Sequence, residues 1–343
     1  MGFAGLQAAR VAFYGAHYLA ARMLARDNVS QLAKPKHRLP ALPIIARAMT
    51  ALFAQDWKNV EAGLYPAPLD LRREARNAMA SARYLADIPN VVRRQREGGH
   101  DDVKGAGEEL PRYYRQNFHF QTDGYLSERS AKLYDFQVEA LFAGTADVMR
   151  RRAYVPVAAY LARRKIKTPV ILDVAAGTGR FLSFVKSVQP QARVIALDLS
   201  EPYLDRAKRR AEKMGQAMEF LAAPAEKIPL PDESADVVTS VYLFHELPPK
   251  IRAAVASEIA RVLKPGGLFV FADSIQYGDA PDFDGLLDVF PDLLHEPYYA
   301  GYAKQDLKQL FAKPGLVPAH VDIAYLTKII AFEKPAKSRS RRG

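Results

Sequence analysis

The residues best placed to do chemistry are two acids and two glycines at the ends of neighbouring apolar runs. The first run contains Asp173 and leads into a turn with Gly177 and Gly179, and the next run, residues 194–197, ends at Asp198. Glycine has no Cβ, so a ligand can approach the backbone closely. A carboxylate at the end of a strand can accept hydrogen bonds from ribose hydroxyls. The pattern indicates a site for a cofactor that contains adenosine.

The turn differs from the pattern of a dinucleotide site. That pattern, G-x-G-x-x-G, places a pyrophosphate on a helix N-terminus. Here Ala175 occupies the position of the first glycine, and the third glycine is missing because Phe181 and Leu182 follow Gly179. Asp173 would repel a pyrophosphate, but it suits a cationic ligand with an amino group and a sulfonium. The residues therefore favour S-adenosylmethionine (SAM) over NAD.

Three later segments carry a family resemblance. They are residues 225–232 (AEKIPLPD), 234–240 (SADVVTS) and 261–267 (RVLKPGG). Together with the glycine turn, and in this order, they resemble the class I SAM-dependent methyltransferases, particularly the quinone-biosynthesis and "type 11" branches. The resemblance extends from about Lys132 to Pro335. It implies an α/β fold with a Rossmann-like seven-stranded, mostly parallel sheet whose last strand is antiparallel.

The resemblance also implies roles for the residues around the turn. Asp173 would face the SAM amino group, Asp198 would bind the ribose hydroxyls, and Leu199 would pack on the adenine. Because Pro224 stands where the family often has an acid, recognition of the adenine amino group would fall to Glu226 or to the backbone. The predicted cofactor-binding residues are Asp173, Ala175, Ala176, Gly177, Gly179, Asp198, Leu199, Ala225, Glu226 and Tyr242.

A second group of residues follows the predicted fourth strand, where the family's acceptor pocket meets the methyl group. We predict His245 as the catalytic residue, either as a base or by positioning the acceptor; a structural or helix-capping role is the alternative. Glu246 is interpreted as a helix N-terminal acid that complements the helix dipole. Methyl transfer needs a base only when the acceptor must lose a proton.

An acidic segment follows the predicted fifth strand. Residues 273–296 contain seven acids and no Lys or Arg, which favours the polar face of a short helix with a loop. A cap over the acceptor is the alternative. The aromatic segment 113–125 is either a lid or packing between two domains. The predicted acceptor-binding residues are Tyr134, Asp273, Gln276, His295, Tyr298 and Tyr299.

The chain organisation is predicted from periodicity and breaks. We expect a helical N-terminal extension (1–98), a linker with a lid (99–130), a methyltransferase domain (131–333) and a basic disordered tail (334–343). Helices are expected at 6–25, 127–142, 146–164 and 180–188. Strands are expected at 170–174, 193–197, 219–222, 235–241, 267–272, 319–325 and 327–333.

The composition excludes several classes of site. The chain has 343 residues and no cysteine, which excludes disulfides, thiolate metal sites and cysteine nucleophiles. The seven histidines form no H-x-x-x-H or H-E-x-x-H pair, so we predict no metal site. The net charge is +11, but residues 111–333 contribute only +1, while residues 1–110 and 334–343 contribute +5 each. The basic charge therefore says little about the substrate.

The ends of the chain raise the question of membrane contact. The apolar run at 11–21 is too short to span a bilayer, and we expect a cytoplasmic compartment. The apolar stripe of the first helix indicates packing against neighbouring helices. Peripheral docking to a membrane, helped by the basic tail, is the alternative.

The sequence thus predicts a methyltransferase that acts on a small, apolar or aromatic acceptor, quinone-like or lipid-like, at carbon or oxygen. Methylation of nucleic acid or protein is a second hypothesis. It is less favoured because the chain has no Asn/Asp-Pro-Pro-Tyr motif and its basic charge lies outside the core. A non-catalytic SAM-binding protein is a third.

Overall fold

The computed structural model describes residues 2–24, 34–68, 71–97, 103 and 110–337. The chain forms two compact units, residues 1–151 with 280–300, and residues 152–279 with 301–343. These units differ from the predicted domains. Residues 131–151 and 280–300, which were predicted to lie in the methyltransferase domain, belong to the first unit. Residues 99–102 and 104–109 of the predicted linker and the end of the predicted tail (338–343) lie outside the described residues.

Helices and strands are numbered in chain order. The helices are α1 (Phe3–Leu24), α2 (Leu42–Glu61), α3 (Leu71–Glu97), α4 (Glu128–Leu141), α5 (Ala146–Arg152), α6 (Tyr154–Arg164), α7 (Arg180–Val188), α8 (Glu201–Lys213), α9 (Pro249–Val262), α10 (Asp284–Leu293), α11 (Tyr299–Tyr302) and α12 (Leu307–Ala312). The strands are β1 (Val170–Val174), β2 (Arg193–Asp198), β3 (Glu219–Ala222), β4 (Ala235–Val241), β5 (Leu263–Ser274), β6 (Val317–Ala324) and β7 (Thr327–Glu333).

In the first unit, the apolar stripe of α1 packs on other helices. Tyr14 is completely buried, and its ring centroid lies 5.4 Å from that of Phe136 on α4. Phe13 and Tyr84 of α3 pack against the same cluster. Leu19 and Met23, further along α1, are exposed. The first part of the stripe therefore serves the packing that the sequence indicates.

The second unit is built on one seven-stranded sheet with the order β3-β2-β1-β4-β5-β7-β6. Strands β1 to β5 pair in parallel, whereas β7 is antiparallel to both β5 and β6. The central strands are apolar along nearly their whole length because helices cover both faces of a parallel sheet. The predicted fold class is confirmed.

Some predicted boundaries were wrong. The helix expected over 146–164 is two helices, broken at Ala153. Strand β5 begins four residues earlier than expected, because its start pairs with Ala235 across a bulge. Lys334, assigned to the disordered tail, continues the sheet by exchanging backbone hydrogen bonds with Gly266 and Gly267. Because glycine has no side chain, the backbone N–H of Gly266 and the carbonyl of Gly267 are accessible to the backbone of Lys334.

Because β1, β2, β4 and β5 are parallel, their carboxyl ends meet at one edge of the sheet. The residues there are Asp173, Asp198, Tyr242 and Asp273, each at or next to the end of its strand. This edge positions the site described below. Among the described residues, no helix is both long and apolar enough to cross a membrane.

Candidate active site

Asp173 lies near the end of β1, in register with Thr239 of the neighbouring β4. Its side chain is buried, and the Thr239 hydroxyl donates a hydrogen bond of 2.6 Å to it. Burial raises the pKa of the Asp173 carboxyl to about 7, and the charge of Asp198 raises it further, while the hydrogen bond from Thr239 lowers it. The site therefore holds an acid whose negative charge is poorly compensated by the protein.

The turn after β1 is held by backbone bonds. The Ala176 N–H donates to the carbonyl of Leu197, and the Gly179 N–H donates to that of Ala176. Ala175 has a φ of +62°, a left-handed conformation that costs a residue with a Cβ about 1 kcal/mol or more. A Cβ added to Gly179 would lie 2.7 Å from the Cβ of Ala207 on α8. Glycine is needed there because the turn packs directly on that helix.

Asp198, at the end of β2, connects the glycine turn after β1 to the segment that follows β2. One carboxylate oxygen accepts a hydrogen bond of 2.7 Å from the Gly177 N–H, and the other accepts one of 2.8 Å from the Ser200 N–H. These bonds fix the orientation of the carboxylate and lower its pKa. Burial outweighs them and, together with the charge of Glu246, raises the pKa to about 6.

The predicted adenine contacts lie next to this carboxylate. Leu199 follows Asp198 directly, and the Ala223 N–H donates to the Asp198 carbonyl, which brings the segment before Ala225 to the end of β2. Leu199, Ala225 and Glu226 are all half-buried. An apolar side chain and a backbone amide are therefore available on this side, as the resemblance implies.

Tyr242 follows β4 and has a φ of +61°. Its N–H donates to the Ala272 carbonyl, and its hydroxyl forms a 2.5 Å hydrogen bond with Thr327 of β7. The side chain is thus tied to the antiparallel end of the sheet. Its role in cofactor binding stays a prediction.

His245 lies in a short 3-10 turn after β4 and is held by Asp273 of β5. The His245 Nδ1 lies 2.5 Å from Asp273 Oδ1, and both side chains are buried. The Phe244 N–H donates to Asp273 Oδ2 at 2.7 Å, and the Ser274 N–H donates to Oδ1 at 2.7 Å. The His245 N–H also donates to Oδ2, at 3.3 Å, and with four donors the carboxylate has little freedom to move and orients the imidazole.

Two residues that the sequence analysis did not assign to the site surround this pair. The Arg252 guanidinium is buried, donates to the Phe244 carbonyl and provides a positive charge near Asp273. The Glu246 carboxylate lies 3.8 Å from His245 Nε2 and is close enough to raise the pKa of Asp198. Glu246 lies three residues before the first residue of α9 and faces the site, so its interpretation as a helix N-terminal acid was wrong.

Thr239 was also missed, although a signal was present. It is a polar residue inside an otherwise apolar strand, and the strand spacing places it beside Asp173. Arg252 had no such signal, because a cation on a predicted helix usually lies on its solvated face.

The predicted acceptor contacts from Asp273 and Gln276 need correction. Asp273 has no exposed surface and acts on His245 instead of a ligand. The Gln276 amide donates to the carbonyls of Tyr302 and Gln305, and its oxygen accepts from Lys328. Both ends of the Gln276 side-chain amide are therefore engaged within the protein.

The remaining predicted acceptor residues belong to the first unit. Tyr134 packs edge-on to Tyr125, and the Tyr298 hydroxyl accepts a hydrogen bond from Gln116. Tyr299 is buried against Phe290, and His295 is half-buried with a φ of +49°. Their role toward an acceptor stays a prediction.

The acids of 273–296 do not share one polar face. Asp273 contacts His245, Asp279 pairs with Lys328 at 2.8 Å, and Asp288 accepts from the backbone and ring of His37. Glu296 is buried and lies 3.3 Å from His119. The segment does contain a short helix, α10, followed by a loop, but these four acids have separate tertiary partners instead of sharing one solvated face.

Comparison with known proteins shows which family this part of the chain matches. The family model described as "Methyltransferase domain" matches residues 171–267, which contain the turn, Asp198 and His245. The chain contains a class I SAM-dependent methyltransferase domain. The predicted family is confirmed for this part of the chain, and SAM is the cofactor that such a domain implies.

Curated relatives match part of the chain. A demethylmenaquinone methyltransferase of Thermus thermophilus is 36% identical over 140 residues, 41% of this chain and 60% of the relative. A ubiquinone/menaquinone biosynthesis C-methyltransferase UbiE of Methylobacterium nodulans is 34% identical over 122 residues, 35% of this chain and 47% of the relative. The chain thus spans about half the length of the curated relatives it matches.

A solved structure also matches. The SAM-dependent methyltransferase from Aquifex aeolicus aligns with 54% of this chain and 96% of its own, with 21% sequence identity and a TM-score of 0.37.

The residues of the methyltransferase domain fit a cationic cofactor. Among the described residues, no Lys or Arg side chain pairs with Asp173 or Asp198, and both carboxyls have raised pKa values. A Cβ added to Gly177 would meet no atom within 4 Å, so the turn leaves open space above its backbone. Asp173 would hold the ammonium group of SAM, and Asp198 would hold its ribose.

We expect SAM to bind more weakly below pH 7. The raised pKa of Asp173, about 7, means that the carboxyl is largely ionised at pH 8 and largely protonated at pH 6. If the ionised form binds the cation, the affinity falls about tenfold between these pH values, since each pH unit below the pKa removes most of that form. Calorimetric titration at both pH values measures the change.

The Asp173→Asn variant is the control for this pH dependence. Asparagine can still accept the hydrogen bond from Thr239 but carries no charge. Its affinity should be low at pH 8 and fall little further at pH 6, apart from the smaller contribution of Asp198. An equally steep loss in this variant would show that another group titrates.

Proposed function

We propose that the chain transfers the methyl group of SAM to a carbon or oxygen atom of a small, apolar, quinone-like acceptor. The His245–Asp273 pair carries this proposal, because it lies at the same edge of the sheet as Asp198. The names of the relatives, which refer to menaquinone and ubiquinone, support the acceptor class. SAM supplies a methyl group on a positively charged sulfur, which is already activated for transfer.

The chain's own contribution is to hold a proton acceptor beside the methyl donor. Asp273 accepts a hydrogen bond from His245 Nδ1, which leaves Nε2 unprotonated and able to take a proton. A reduced quinone has aromatic hydroxyl groups. Loss of one hydroxyl proton to Nε2 makes both that oxygen and the adjacent ring carbon stronger nucleophiles.

The buried charges around the pair keep this arrangement in place. Arg252 places a buried positive charge near the Asp273 carboxylate. Glu246, near Nε2, favours the imidazolium that forms when the proton arrives. The charge of Glu246 therefore assists a proton transfer toward His245.

We also propose peripheral membrane contact, which would bring a lipid-like acceptor to the protein. The exposed Leu19 and Met23 of α1 support it, together with the basic residues at the end of the sequence. Flotation of the protein with anionic phospholipid vesicles tests it. Loss of flotation in a Leu19→Ser, Met23→Ser double variant is the expected result, and unchanged flotation would contradict it.

The proposed activity is tested with SAM labelled in its methyl group. The acceptors are a reduced 1,4-naphthoquinone with a short prenyl chain and, in parallel, bulk RNA and an unfractionated protein extract. We expect label in the naphthoquinol, and nuclear magnetic resonance of the product identifies carbon or oxygen as the methylated atom.

Two results would contradict the proposal. Label confined to RNA or protein would establish the second hypothesis. Binding of SAM without label in any acceptor, and without release of S-adenosylhomocysteine, would indicate a non-catalytic SAM-binding protein.

A further inference from the structure

The first unit contains a cavity of about 490 Å³ that is lined by none of the residues assigned to SAM. Its walls come from α1, α3, α4 and α10 and from two connecting segments. Tyr134, predicted above as an acceptor contact, also lines it. Cavities of about 300 to 1,000 Å³ are typical of small-molecule sites.

The cavity has an apolar interior and an entrance at one side. Its inner walls include Ile88 and Val138, which are 4% and 8% exposed. Among the lining residues that the structure describes, only Lys34 and Leu39 are exposed, and both belong to residues 34–39, the entrance segment. A hydrocarbon chain inside would bury apolar surface, which favours binding in proportion to the area removed from water.

The entrance segment is basic. Lys34, Lys36 and Arg38 are exposed, and none of them forms an ion pair or a side-chain hydrogen bond within the described part of the chain. The neighbouring acid, Asp288, is engaged by His37, with 3.1 Å between its Oδ2 and the ring Nδ1. Three positive charges therefore remain at the entrance without an anionic partner, and their potential attracts anions.

The acids near the interior do not cancel this charge. Asp87 is 1% exposed, and its carboxylate accepts a hydrogen bond of 2.9 Å from the Arg129 guanidinium and one of 3.1 Å from the Thr122 hydroxyl. Glu296, which lies outside the lining, is 3.3 Å from His119. Each carboxylate has its own partner, and neither is paired with a cation of the entrance segment.

The other polar groups of the lining are uncharged. Burial, together with the neighbouring Tyr18, raises the pKa of the Tyr84 hydroxyl to about 12, so it carries no charge at neutral pH. The amides of Gln95 and Gln121 donate to backbone carbonyls. The Gln137 oxygen has almost no accessible surface and does not face the cavity. The interior therefore suits a hydrocarbon chain, whereas the entrance suits an anion.

We propose that this cavity binds a single-chain lipid with an anionic head group. The hydrocarbon chain lies against the apolar walls, and the head group lies at the entrance beside the Lys34 ammonium. There the anion stays in contact with water, so binding avoids the cost of burying a charge. The site belongs to the first unit and requires neither SAM nor methyl transfer, so the inference extends beyond the proposed function.

Calorimetric titration of the full chain without SAM, at pH 8 and low salt, tests the charge of the head group. The probes share one straight chain: decanoate, decyl phosphate, 1-decanol and decyltrimethylammonium. We expect at least one of the two anions to bind about two- to fivefold tighter than 1-decanol, the range of an exposed ion pair, and the cation to bind most weakly. The tighter anion distinguishes a carboxylate head from a phosphate head. Equal or tighter binding of 1-decanol or of the cation, or no binding of any probe, would overturn the proposal.

Lys34→Met tests the position of the head group. Methionine keeps an unbranched side chain at the surface but carries no charge, so the anions should then bind about as tightly as 1-decanol. Lys58→Met is the control, because Lys58 is an exposed lysine of α2 outside the lining, and it should leave the preference for anions unchanged. An undiminished preference in Lys34→Met would overturn the proposal.

Val91→Trp tests whether the chain occupies the cavity. We expect it to weaken binding of the preferred anion at least about tenfold, since displacing about two methylenes from the walls already costs that much. Leu85→Trp lies on the same helix but is 40% exposed and outside the lining, and it should change the affinity less than about twofold. Equal binding by both variants would overturn the proposal.

Two comparisons keep the test decisive. If Val91→Trp does not fold, Lys34→Met still decides, because it changes only an exposed side chain. Asp198→Ala should bind the preferred anion like the wild type, which separates this site from failure of the proposed methyl transfer.

Discussion

Replacing Asp198 by alanine is expected to lower the affinity for SAM by at least about 100-fold. The change removes the acceptor for the ribose hydroxyls, and hydrogen bonds to a charged group contribute about 1.5 to 3 kcal/mol each. It also leaves the N–H groups of Gly177 and Ser200 without their acceptor, so the turn under the cofactor loses an anchor. Calorimetric titration with SAM at pH 8 measures the loss.

Asp205→Ala is the matched control for this variant. Asp205 is an exposed acid on α8, seven residues further along the chain, and its removal should leave the SAM affinity within twofold of the wild type. Circular dichroism of both variants shows whether the fold is retained. A folded Asp198→Ala protein with near-normal affinity would contradict the assigned ribose contact.

Replacing His245 by glutamine is expected to reduce kcat by about 10²- to 10⁴-fold, the usual contribution of a general base. Glutamine still occupies the space next to Asp273 but cannot take a proton at neutral pH. SAM affinity should change little, since no described contact of His245 is with the turn that holds the cofactor. The measurement is methyl transfer to the naphthoquinol under saturating SAM.

Asp273→Asn separates positioning from general instability. The amide can still accept one hydrogen bond, but it no longer stabilises a positive imidazole, so we expect a similar loss of kcat and a lower pKa in the pH–rate profile. His320→Gln, an exposed histidine on β6, is the control and should leave the rate unchanged. A rate loss in Asp273→Asn without any shift of the pH profile would indicate a merely structural role.

The strands of the sheet were predictable because their sequences are strongly patterned. Strands β1, β3, β4 and β7 begin and end at the predicted residues. Buried parallel strands need apolar residues throughout, and their carboxyl ends carry the polar residues that face a ligand. Asp173 and Asp198 could be assigned for the same reason.

Helix ends and domain limits were less predictable. The break at Ala153 was marked by Pro156, which has no N–H to donate to the carbonyl of residue 152, but the sequence analysis did not use this signal. The segment 280–300 is close in sequence to β5, yet it belongs to the first unit. Such assignments depend on contacts between residues far apart in the chain, which no local pattern encodes.

The sequence alone determined the strands, the glycine turn and the two carboxylates, because these depend on backbone periodicity and on residues adjacent in the chain. The tertiary structure alone decided that Asp273 orients His245 and that Glu246 faces the site. It also decided that the Arg252 guanidinium is buried near Asp273. The physical reason is that burial and pairing depend on partners from distant segments, such as the 28 residues that separate His245 from Asp273.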